Sequence, residues 1–281
     1  MTTPQHIHIG GNGTATVVFG NNAPLSILAG TCAIEGRDIT FKTAETLKEI
    51  CTKLGIGLVY KGSFDKANRT SVTGARGIGL ENGLRILEEV RTQLQLPVVT
   101  DVHEIGHVVE VGAVVDVVQI PAFLSRQTDL LIAAAKTGKV VNIKKAQFMH
   151  PRDAVTAAEK VRQSGNPNIM LTERGTTFGY NNLVVDYRGF PQMAESGLPV
   201  LFDATHSVME PSAHGNASGG RREFVVPLSR AAIGMGVAGL FMETHPDPTK
   251  ALSDKETQMP LAEMAAVLAQ LKRLDDFCKA G

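Results

Sequence analysis

The segment from Lys61 to Thr70 concentrates residues that bind anions directly after a short apolar run. Its sequence, Lys-Gly-Ser-Phe-Asp-Lys-Ala-Asn-Arg-Thr, holds three cations and two hydroxyl side chains. Lys66 can act as a point charge on a phosphate or carboxylate, and Arg69 offers a planar fork for two parallel contacts. This pattern indicates a sugar-phosphate or phosphoenol ligand. The alternative is a solvated loop with scattered lysines and arginines.

Two further cations stand after later apolar runs, Lys144 and Arg174. Together with Lys61, Lys66 and Arg69 they carry enough charge to neutralise two phosphorylated ligands, or one ligand that has both a phosphate and a carboxylate. The sequence therefore predicts a cationic sub-site built from several strands.

A second group of residues mixes thiolate, imidazole and carboxylate donors. It comprises Cys32, His206 and Glu243, with a further acid downstream at Asp254. Such a set suits zinc or ferrous iron rather than magnesium, which prefers oxygen ligands. The residue types alone leave open that Cys32 is only a small buried apolar side chain.

Short apolar, β-branched runs alternate with helical stretches along most of the chain. Continuous rather than alternating apolar runs indicate strands buried on both faces of a parallel sheet. Eight such runs in 281 residues predict a single (β/α)8 barrel domain over residues 1–281, with an N-terminal hairpin over residues 1–20 around an Asn-Gly turn. An open doubly wound sheet is the alternative. The predicted runs are Leu25–Ala29, Gly57–Tyr60, Pro97–Thr100, Val114–Ile120, Val140–Ile143, Asn168–Leu171, Pro199–Phe202 and Ala238–Met242; the predicted helices include one from about Thr40, one over Glu81–Gln95 and one over Leu261–Phe277.

In a barrel the active site lies at the carboxyl ends of the strands, and all eight predicted ends carry polar, chemically useful residues. Two segments beyond those ends lack any period. Residues 206–222, rich in Gly and Ser, are interpreted as a lid rather than an ordinary insertion, and residues 175–182 as a closing loop on the other side.

Composition limits the classes of partner. The 28 basic and 28 acidic residues balance, so no net charge draws the chain to nucleic acid or to a membrane. There is no apolar stretch of spanning length and no signal-peptide pattern at the start, so a cytoplasmic protein is expected. Three widely spaced cysteines indicate reduced thiols rather than a disulfide framework.

Four motifs together resemble the family of 3-deoxy-D-manno-octulosonate 8-phosphate synthases over nearly the whole chain. They are residues 61–70, Thr100–Glu104, Gln119–Asp129 and Glu243–Pro248. The resemblance implies a (β/α)8 barrel, usually a homotetramer, that condenses phosphoenolpyruvate with D-arabinose 5-phosphate and water. The product would feed the inner core of lipopolysaccharide.

The resemblance also implies which residues bind each substrate. The phosphoenolpyruvate site would consist of Lys61, Lys66, Gln119, Lys144 and Arg174; the arabinose 5-phosphate site of Asn68, Arg69, Thr70 and Asp101, with Phe123 and Arg126 approaching a neighbouring subunit's pocket. Acid and base roles stay open among Lys61, Lys144, Asp101 and His206.

Members of that family divide into metal-dependent and metal-independent classes. The metal-independent class carries Asn at the position of Cys32, so this chain is expected to bind a divalent metal, whether zinc, iron or manganese, through Cys32, His206, Glu243 and Asp254. The metal would polarise the sugar aldehyde or activate the attacking water.

Two other functions remain as alternatives. A 3-deoxy-D-arabino-heptulosonate 7-phosphate synthase would use erythrose 4-phosphate, but its loop reads Lys-Pro-Arg followed by Ser or Thr, whereas this chain has Lys66-Ala67-Asn68-Arg69. A non-catalytic sugar-phosphate-binding barrel would be expected to lack the metal set or the cations. This sequence has both the predicted metal-binding residues and the cations.

Overall fold

A computed structural model describes residues 2–69, 72–211 and 219–280 of the chain. Numbered in chain order, its strands are β1 (Ile7–Gly11), β2 (Thr14–Phe19), β3 (Ser26–Ala33), β4 (Gly57–Ser63), β5 (Val98–Asp101), β6 (Val117–Ile120), β7 (Val140–Lys144), β8 (Ile169–Glu173), β9 (Thr176–Thr177), β10 (Leu183–Val184), β11 (Val200–Asp203), β12 (Met209–Glu210), β13 (Gly219–Gly220), β14 (Gly239–His245) and β15 (Met259–Pro260). The α-helices are α1 (Arg37–Leu54), α2 (Leu80–Gln93), α3 (Val108–Val114), α4 (Thr128–Lys136), α5 (Pro151–Gln163), α6 (Gly189–Ala194), α7 (Val225–Gly234) and α8 (Met264–Lys279).

Eight parallel strands form a closed barrel. Strands β3 to β8 pair in sequence order, β8 pairs with β11, β11 with β14, and β14 returns to β3. Apart from Gly57 at the start of β4, every barrel residue is buried, because helices cover the outside and side chains fill the inside. The predicted (β/α)8 barrel is confirmed, and the open-sheet alternative is wrong.

The N-terminal hairpin covers the amino-terminal end of the barrel. Strands β1 and β2 pair through a turn at Asn12 and Gly13, both with positive φ (49° and 94°), as an Asn-Gly hairpin turn requires. Phe19 packs into the interior cluster of the barrel. Gly239 leaves the room for this contact, since a Cβ there would lie 2.7 Å from the Phe19 ring. The hairpin therefore closes the end opposite the strand carboxyl termini.

Several predicted boundaries shift in the structure. The run Val114–Ile120 is not one strand, because Val114 ends α3 and β6 begins only at Val117. An apolar run does not distinguish a buried helix from a buried strand. Strand β4 continues past Tyr60 to Ser63, so Lys61 lies on a barrel strand rather than in a loop. Strand β14 likewise includes Glu243.

Short paired strands form within or directly beside the two segments predicted to be aperiodic. β9 pairs with β10 after the sixth barrel strand, and β12 pairs with β13 after the seventh. Residues 212–218 of the predicted lid lie outside the described residues, as does Thr70. Within the described ranges, none of the helices combines the length and apolarity that crossing a membrane would require.

Candidate active site

The carboxyl ends of the barrel strands bring the two predicted groups of residues to one mouth. The residues that line it come from six strands, five of them on the strand itself and one directly after it. They are Cys32 on β3, Lys61 on β4, Lys144 at the end of β7, Arg174 directly after β8, Asp203 at the end of β11 and Glu243 on β14. All six are at least 90 % buried.

Three of the four predicted metal ligands form a compact cluster. Donor atoms of Cys32, Glu243 and Asp254 all lie within 4.8 Å of one another, and the Cys32 Sγ is 2.8 Å from the Asp254 Oδ2. Nε2 of His206 lies 3.6 Å from the Glu243 Oε2 and 3.7 Å from the Asp254 Oδ2. Asp254 has a positive φ of 51°, a conformation that often marks functional sites.

The imidazole of His206 is oriented by a carboxylate that the sequence analysis left without a role. Nδ1 of His206 lies 2.9 Å from the Asp203 Oδ2, which leaves Nε2 facing the cluster. Metal-binding histidines commonly have such a carboxylate behind them. The Glu243 Oε2, which faces Nε2, has no hydrogen-bond partner among the described residues.

The chemistry of this donor set fits a divalent cation of the zinc or iron type. Burial, with the charges of Asp254 and Glu243, raises the pKa of the Cys32 thiol well above its usual value. A cation would reverse this effect, because a coordinating thiol loses its proton to the metal. Sulfur, imidazole and carboxylate donors together favour zinc or ferrous iron over magnesium.

Lys61 connects this cluster to the cationic group. Its ammonium donates to the Cys32 carbonyl at 2.7 Å and to the Glu243 Oε1 at 2.6 Å, with a longer contact of 3.3 Å to the Thr31 carbonyl. Each of these contacts fixes the direction of the side chain. A fully buried lysine held in this way can contribute charge at a defined point.

Lys144 is a second buried lysine of the barrel mouth. It pairs with Asp203, and its ammonium lies 3.1 Å from the centroid of the Phe241 ring. Burial lowers the pKa of Lys144 to about 8, although the Asp203 charge acts in the other direction. Burial alone would raise the pKa of Asp203. The charge and hydrogen bond of His206, with the charges of Lys144 and Arg174, hold that pKa well below its usual range. Lys144 is thus an amine whose proton is available near neutral pH.

Arg174 is a buried cation with unused hydrogen-bonding capacity. Its Nη1 is buried and finds no hydrogen-bond partner among the described residues, and its Nη2 only approaches the Met209 sulfur at 3.9 Å. Burial lowers the pKa of its guanidinium. An unpaired buried donor is costly, so this geometry favours an anionic ligand at Arg174.

Gln119 belongs to a separate hydrogen-bond chain inside the barrel. Its Oε1 accepts from the Asn142 amide at 3.2 Å, and the Asn142 Oδ1 accepts from the Thr172 hydroxyl at 2.7 Å. The amide nitrogen of Gln119 is thereby oriented away from this chain. A donor at this position can contact a bound anion.

A third group joins the β4 and β5 ends. Lys66 donates to the Ser63 hydroxyl at 3.0 Å, Ser63 donates to Asp101, and the His103 Nε2 lies 2.9 Å from the Asp101 Oδ2. Burial alone would raise the pKa of Asp101, but the His103 hydrogen bond and the charges of Lys66 and Lys61 hold it well below its usual range. His103 is therefore a direct hydrogen-bond partner of Asp101.

The residues predicted to bind the sugar phosphate are less assembled. Arg69 is engaged by protein acceptors: the Ala75 carbonyl at 2.7 Å, the Ser253 hydroxyl at 3.0 Å and the Leu252 carbonyl at 3.2 Å. Asn68 is exposed, and Thr70 lies outside the described residues. Phe123 and Arg126 are also exposed, on the segment after β6. The structure thus brings together the residues predicted to bind phosphoenolpyruvate and a metal. It does not bring Asn68, Arg69, Phe123 and Arg126 into that group.

Comparison with known proteins identifies the family. Residues 5–280 match the model of the DAHP synthetase I family. The chain belongs to the DAHP synthetase I family. Similar proteins from Magnetococcus marinus (57 % identity over 264 residues, 94 % of this chain and 92 % of the relative), a Bradyrhizobium species (55 % over 266 residues, 94 % and 93 %) and Brucella ovis (55 % over 264 residues, 94 % and 95 %) are each named 2-dehydro-3-deoxyphosphooctonate aldolase.

Sequence reasoning assigned no role to several residues that support the site of this family member. Asp203 was visible only as one of many acids after strands, and Ser63 as a hydroxyl in the anion-binding segment. Their contacts join residues far apart in sequence: Asp203 touches Lys144, and Ser63 touches Asp101. The only signal in the sequence is their position at the strand carboxyl ends.

Proposed function

We propose that this chain condenses phosphoenolpyruvate with D-arabinose 5-phosphate and water to give 3-deoxy-D-manno-octulosonate 8-phosphate and inorganic phosphate. The name borne by its relatives denotes the same enzyme as 3-deoxy-8-phosphooctulonate synthase. One observation carries the proposal: a cationic group and a sulfur, nitrogen and oxygen donor set share one barrel mouth. The direct test is phosphate release from phosphoenolpyruvate that depends on arabinose 5-phosphate.

The sister reaction with erythrose 4-phosphate is less well supported. The relatives at 55–57 % identity are all named for the eight-carbon product, and the Ala67-Asn68 dipeptide departs from the Lys-Pro-Arg loop expected of the sister enzyme. A purely binding barrel is disfavoured for a different reason, since it would be expected to lack the metal-type donor set or the cations, and this chain has both.

We infer that Cys32, His206, Glu243 and Asp254 hold a divalent metal ion, whether zinc, iron or manganese. Three observations support this metal site: the geometry of the donor atoms, the lack of a hydrogen-bond partner for the Glu243 Oε2 among the described residues, and the orientation of His206 by Asp203. When bound, such an ion supplies Lewis acidity, either to the open-chain aldehyde of the sugar or to the attacking water.

The cations would bind the phosphoenol substrate. Arg174 can offer two parallel donors to its phosphate, and Lys61 and Lys144 can offset the charges on its phosphate and carboxylate. Lys66 and Gln119 would complete this site. The sugar would lie toward Asp101, with its phosphate near Asn68, Arg69 and Thr70. For Arg69 this requires exchanging its present acceptors for phosphate oxygens.

The reaction requires one proton to be given and one to be taken. C3 of phosphoenolpyruvate attacks the aldehyde carbon, whose oxygen accepts a proton, while water adds at C2 and gives up a proton. The resulting phosphohemiketal loses phosphate by C–O cleavage. We assign the donated proton to Lys144, because its lowered pKa matches that task. Asp101 would take the proton from water, because both ring nitrogens of His206 are engaged, Nδ1 by Asp203 and Nε2 by the proposed metal site.

The ratio kcat/KM is expected to fall as pH rises through about 8, because Lys144 of the free enzyme has a pKa of about 8 and is neutral above it. The measurement is kcat/KM for phosphoenolpyruvate against pH, since this ratio reports the pKa values of the free enzyme. Lys144→Arg, whose guanidinium keeps its proton, should turn over slowly and lose this alkaline limb. A Lys144→Arg enzyme with the full rate and an unchanged alkaline limb would show that the donor is another group.

We further propose a homotetramer in which Phe123 and Arg126 approach a neighbouring subunit's sugar-phosphate pocket. Its support is a set of exposed apolar residues near the ends of consecutive strands from β5 to β8: Ile105, Val109, Phe123, Phe148 and Phe178. Arg126→Ala is expected to raise KM for arabinose 5-phosphate roughly tenfold, which corresponds to about 1.4 kcal/mol of binding free energy. KM for phosphoenolpyruvate should stay unchanged. A monomer by sedimentation at assay concentration would contradict the assembly.

The product would enter lipopolysaccharide core synthesis, and the enzyme would work in the cytoplasm. Both statements rest on the proposed reaction and on the family resemblance. Depleting the enzyme in its own host should lower the octulosonate content of the lipopolysaccharide. Unchanged content after complete depletion would argue against this role.

A further inference from the structure

A buried ion pair stands beside the cationic group without belonging to it. Lys145 is 1 % exposed and Glu173 is 2 % exposed, and the Lys145 Nζ lies 3.3 Å from the Glu173 Oε1. Lys145 directly follows Lys144, and Glu173 directly precedes Arg174. Each member of the pair is therefore the chain neighbour of a residue assigned to phosphoenolpyruvate.

The Glu173 carboxylate holds the backbone where the chain leaves β8. Its Oε1 accepts the backbone N–H of Arg174 at 2.9 Å and that of Gly175 at 2.7 Å. Gly175 has a φ of 89°, which favours glycine, so the chain turns sharply at this point. Glu173 thus determines the position of the Arg174 backbone.

The Lys145 ammonium joins this turn to the segment after β7. It donates to the carbonyls of Ala146 and Met149, each at 3.2 Å, and to the Thr176 hydroxyl at 3.1 Å. Successive residues of a strand point to opposite sides, so Lys144 can face the barrel mouth while Lys145 holds the adjacent loops. The pair therefore connects the segments that carry Lys144 and Arg174.

The position of Arg174 depends on this support because little holds the far end of its side chain. Its buried Nη1 has no hydrogen-bond partner among the described residues. Stability alone is a weak reason for the pair, since a buried ion pair often contributes no more than apolar residues of similar volume.

We propose that Lys145 and Glu173 are positioning residues that set the separation of Lys144 and Arg174, and thereby the affinity for phosphoenolpyruvate, without touching the substrate. The inference rests on the proposed function, because it takes phosphoenolpyruvate as the anion bound at Arg174. The proposal predicts a selective effect of disrupting the pair. Affinity for phosphoenolpyruvate should fall, and affinity for arabinose 5-phosphate should not change.

The test replaces both members with methionine in a Lys145→Met, Glu173→Met enzyme, which leaves no unpaired buried charge. Phosphoenolpyruvate affinity is measured by calorimetry, KM for each substrate by steady-state assay, and Tm by thermal unfolding. The matched control is Lys279→Met, Asp275→Leu at the opposite end of the barrel. There a buried carboxylate likewise accepts a backbone N–H, from Leu25 at 2.8 Å, and pairs with a lysine at 2.7 Å.

The Lys145→Met, Glu173→Met enzyme is expected to bind phosphoenolpyruvate about tenfold to 100-fold more weakly, as misplacement of a binding group does, with KM for arabinose 5-phosphate within about twofold. The control should change Tm but neither KM. An altered Tm with unchanged phosphoenolpyruvate affinity, or equal losses for both substrates, would overturn the proposal.

Glu173→Gln provides a second test if the methionine enzyme fails to fold. The amide keeps an acceptor for the two backbone N–H groups but removes the charge that pairs with Lys145, so a smaller loss of phosphoenolpyruvate affinity is expected, and none would overturn the proposal. Calorimetry also separates this inference from the proposed function. A wild-type chain that binds phosphoenolpyruvate but does not turn over arabinose 5-phosphate refutes only the latter.

Discussion

Replacing Cys32 with Ala is expected to abolish both tight metal binding and turnover. The change removes the sulfur donor, and the acids Glu243 and Asp254 remain with His206. Loss of an outer-shell partner typically weakens metal binding about 10-fold to 100-fold, so loss of a direct ligand should weaken it by more than about 100-fold. Metal content after dialysis, competition with a chelator and kcat are the measurements.

Cys51→Ala is the matched control, because Cys51 is an equally buried thiol in α1 that lies within the apolar core. It should keep its metal and its activity. Cys32→Asn carries the residue expected of the metal-independent class and is expected to retain some activity that chelators do not remove. A wild-type rate that stays unchanged in strong chelator would contradict the role assigned to the metal.

Replacing Arg174 with Met is expected to raise KM for phosphoenolpyruvate roughly 100-fold to 10,000-fold. The guanidinium is buried with an unpaired Nη1, so a bound phosphate would receive charge-assisted hydrogen bonds in a site from which water is largely excluded. Each such bond is worth about 1.5–3 kcal/mol, and the variant loses two of them.

Arg188→Met provides the control, since Arg188 forms an exposed ion pair with Asp186 on the segment that leads to α6. Surface pairs of this kind contribute little to stability, so neither KM should change. Steady-state kinetics with each substrate varied in turn gives both constants. Equal increases in KM for phosphoenolpyruvate and arabinose 5-phosphate would indicate a general disturbance of the barrel mouth instead of a lost phosphate contact.

The barrel could be predicted because its strands are buried on both faces. Runs such as Val140–Ile143 therefore stand out from the amphipathic helices between them, and their polar ends indicate the active face. The same logic failed at Val114, where an apolar helix end runs into an apolar strand. Closure of the sheet also cannot be read from one run, since it depends on β11 meeting β14.

The site was predictable in its residue types but not in its contacts. Cys32 and Asp254 are 222 positions apart, and only the fold brings their side chains within 2.8 Å. The supporting residues Asp203, Lys145 and Glu173 look like ordinary charges in the sequence, because burial and partner choice are tertiary properties. Arg69 differs because its residue type misled the prediction about its contacts. Its charge indicated a bound anion, yet in the structure its donors contact Leu252 and Ser253.

Phosphate release from phosphoenolpyruvate, measured side by side with arabinose 5-phosphate and with erythrose 4-phosphate, tests the proposed reaction most directly. The purified, metal-loaded chain is expected to release phosphate with arabinose 5-phosphate, to form the eight-carbon phosphorylated keto acid in equal amount, and to show little release with erythrose 4-phosphate. Faster release with erythrose 4-phosphate would assign the chain to the sister reaction. No release with either sugar would contradict the enzymatic function itself.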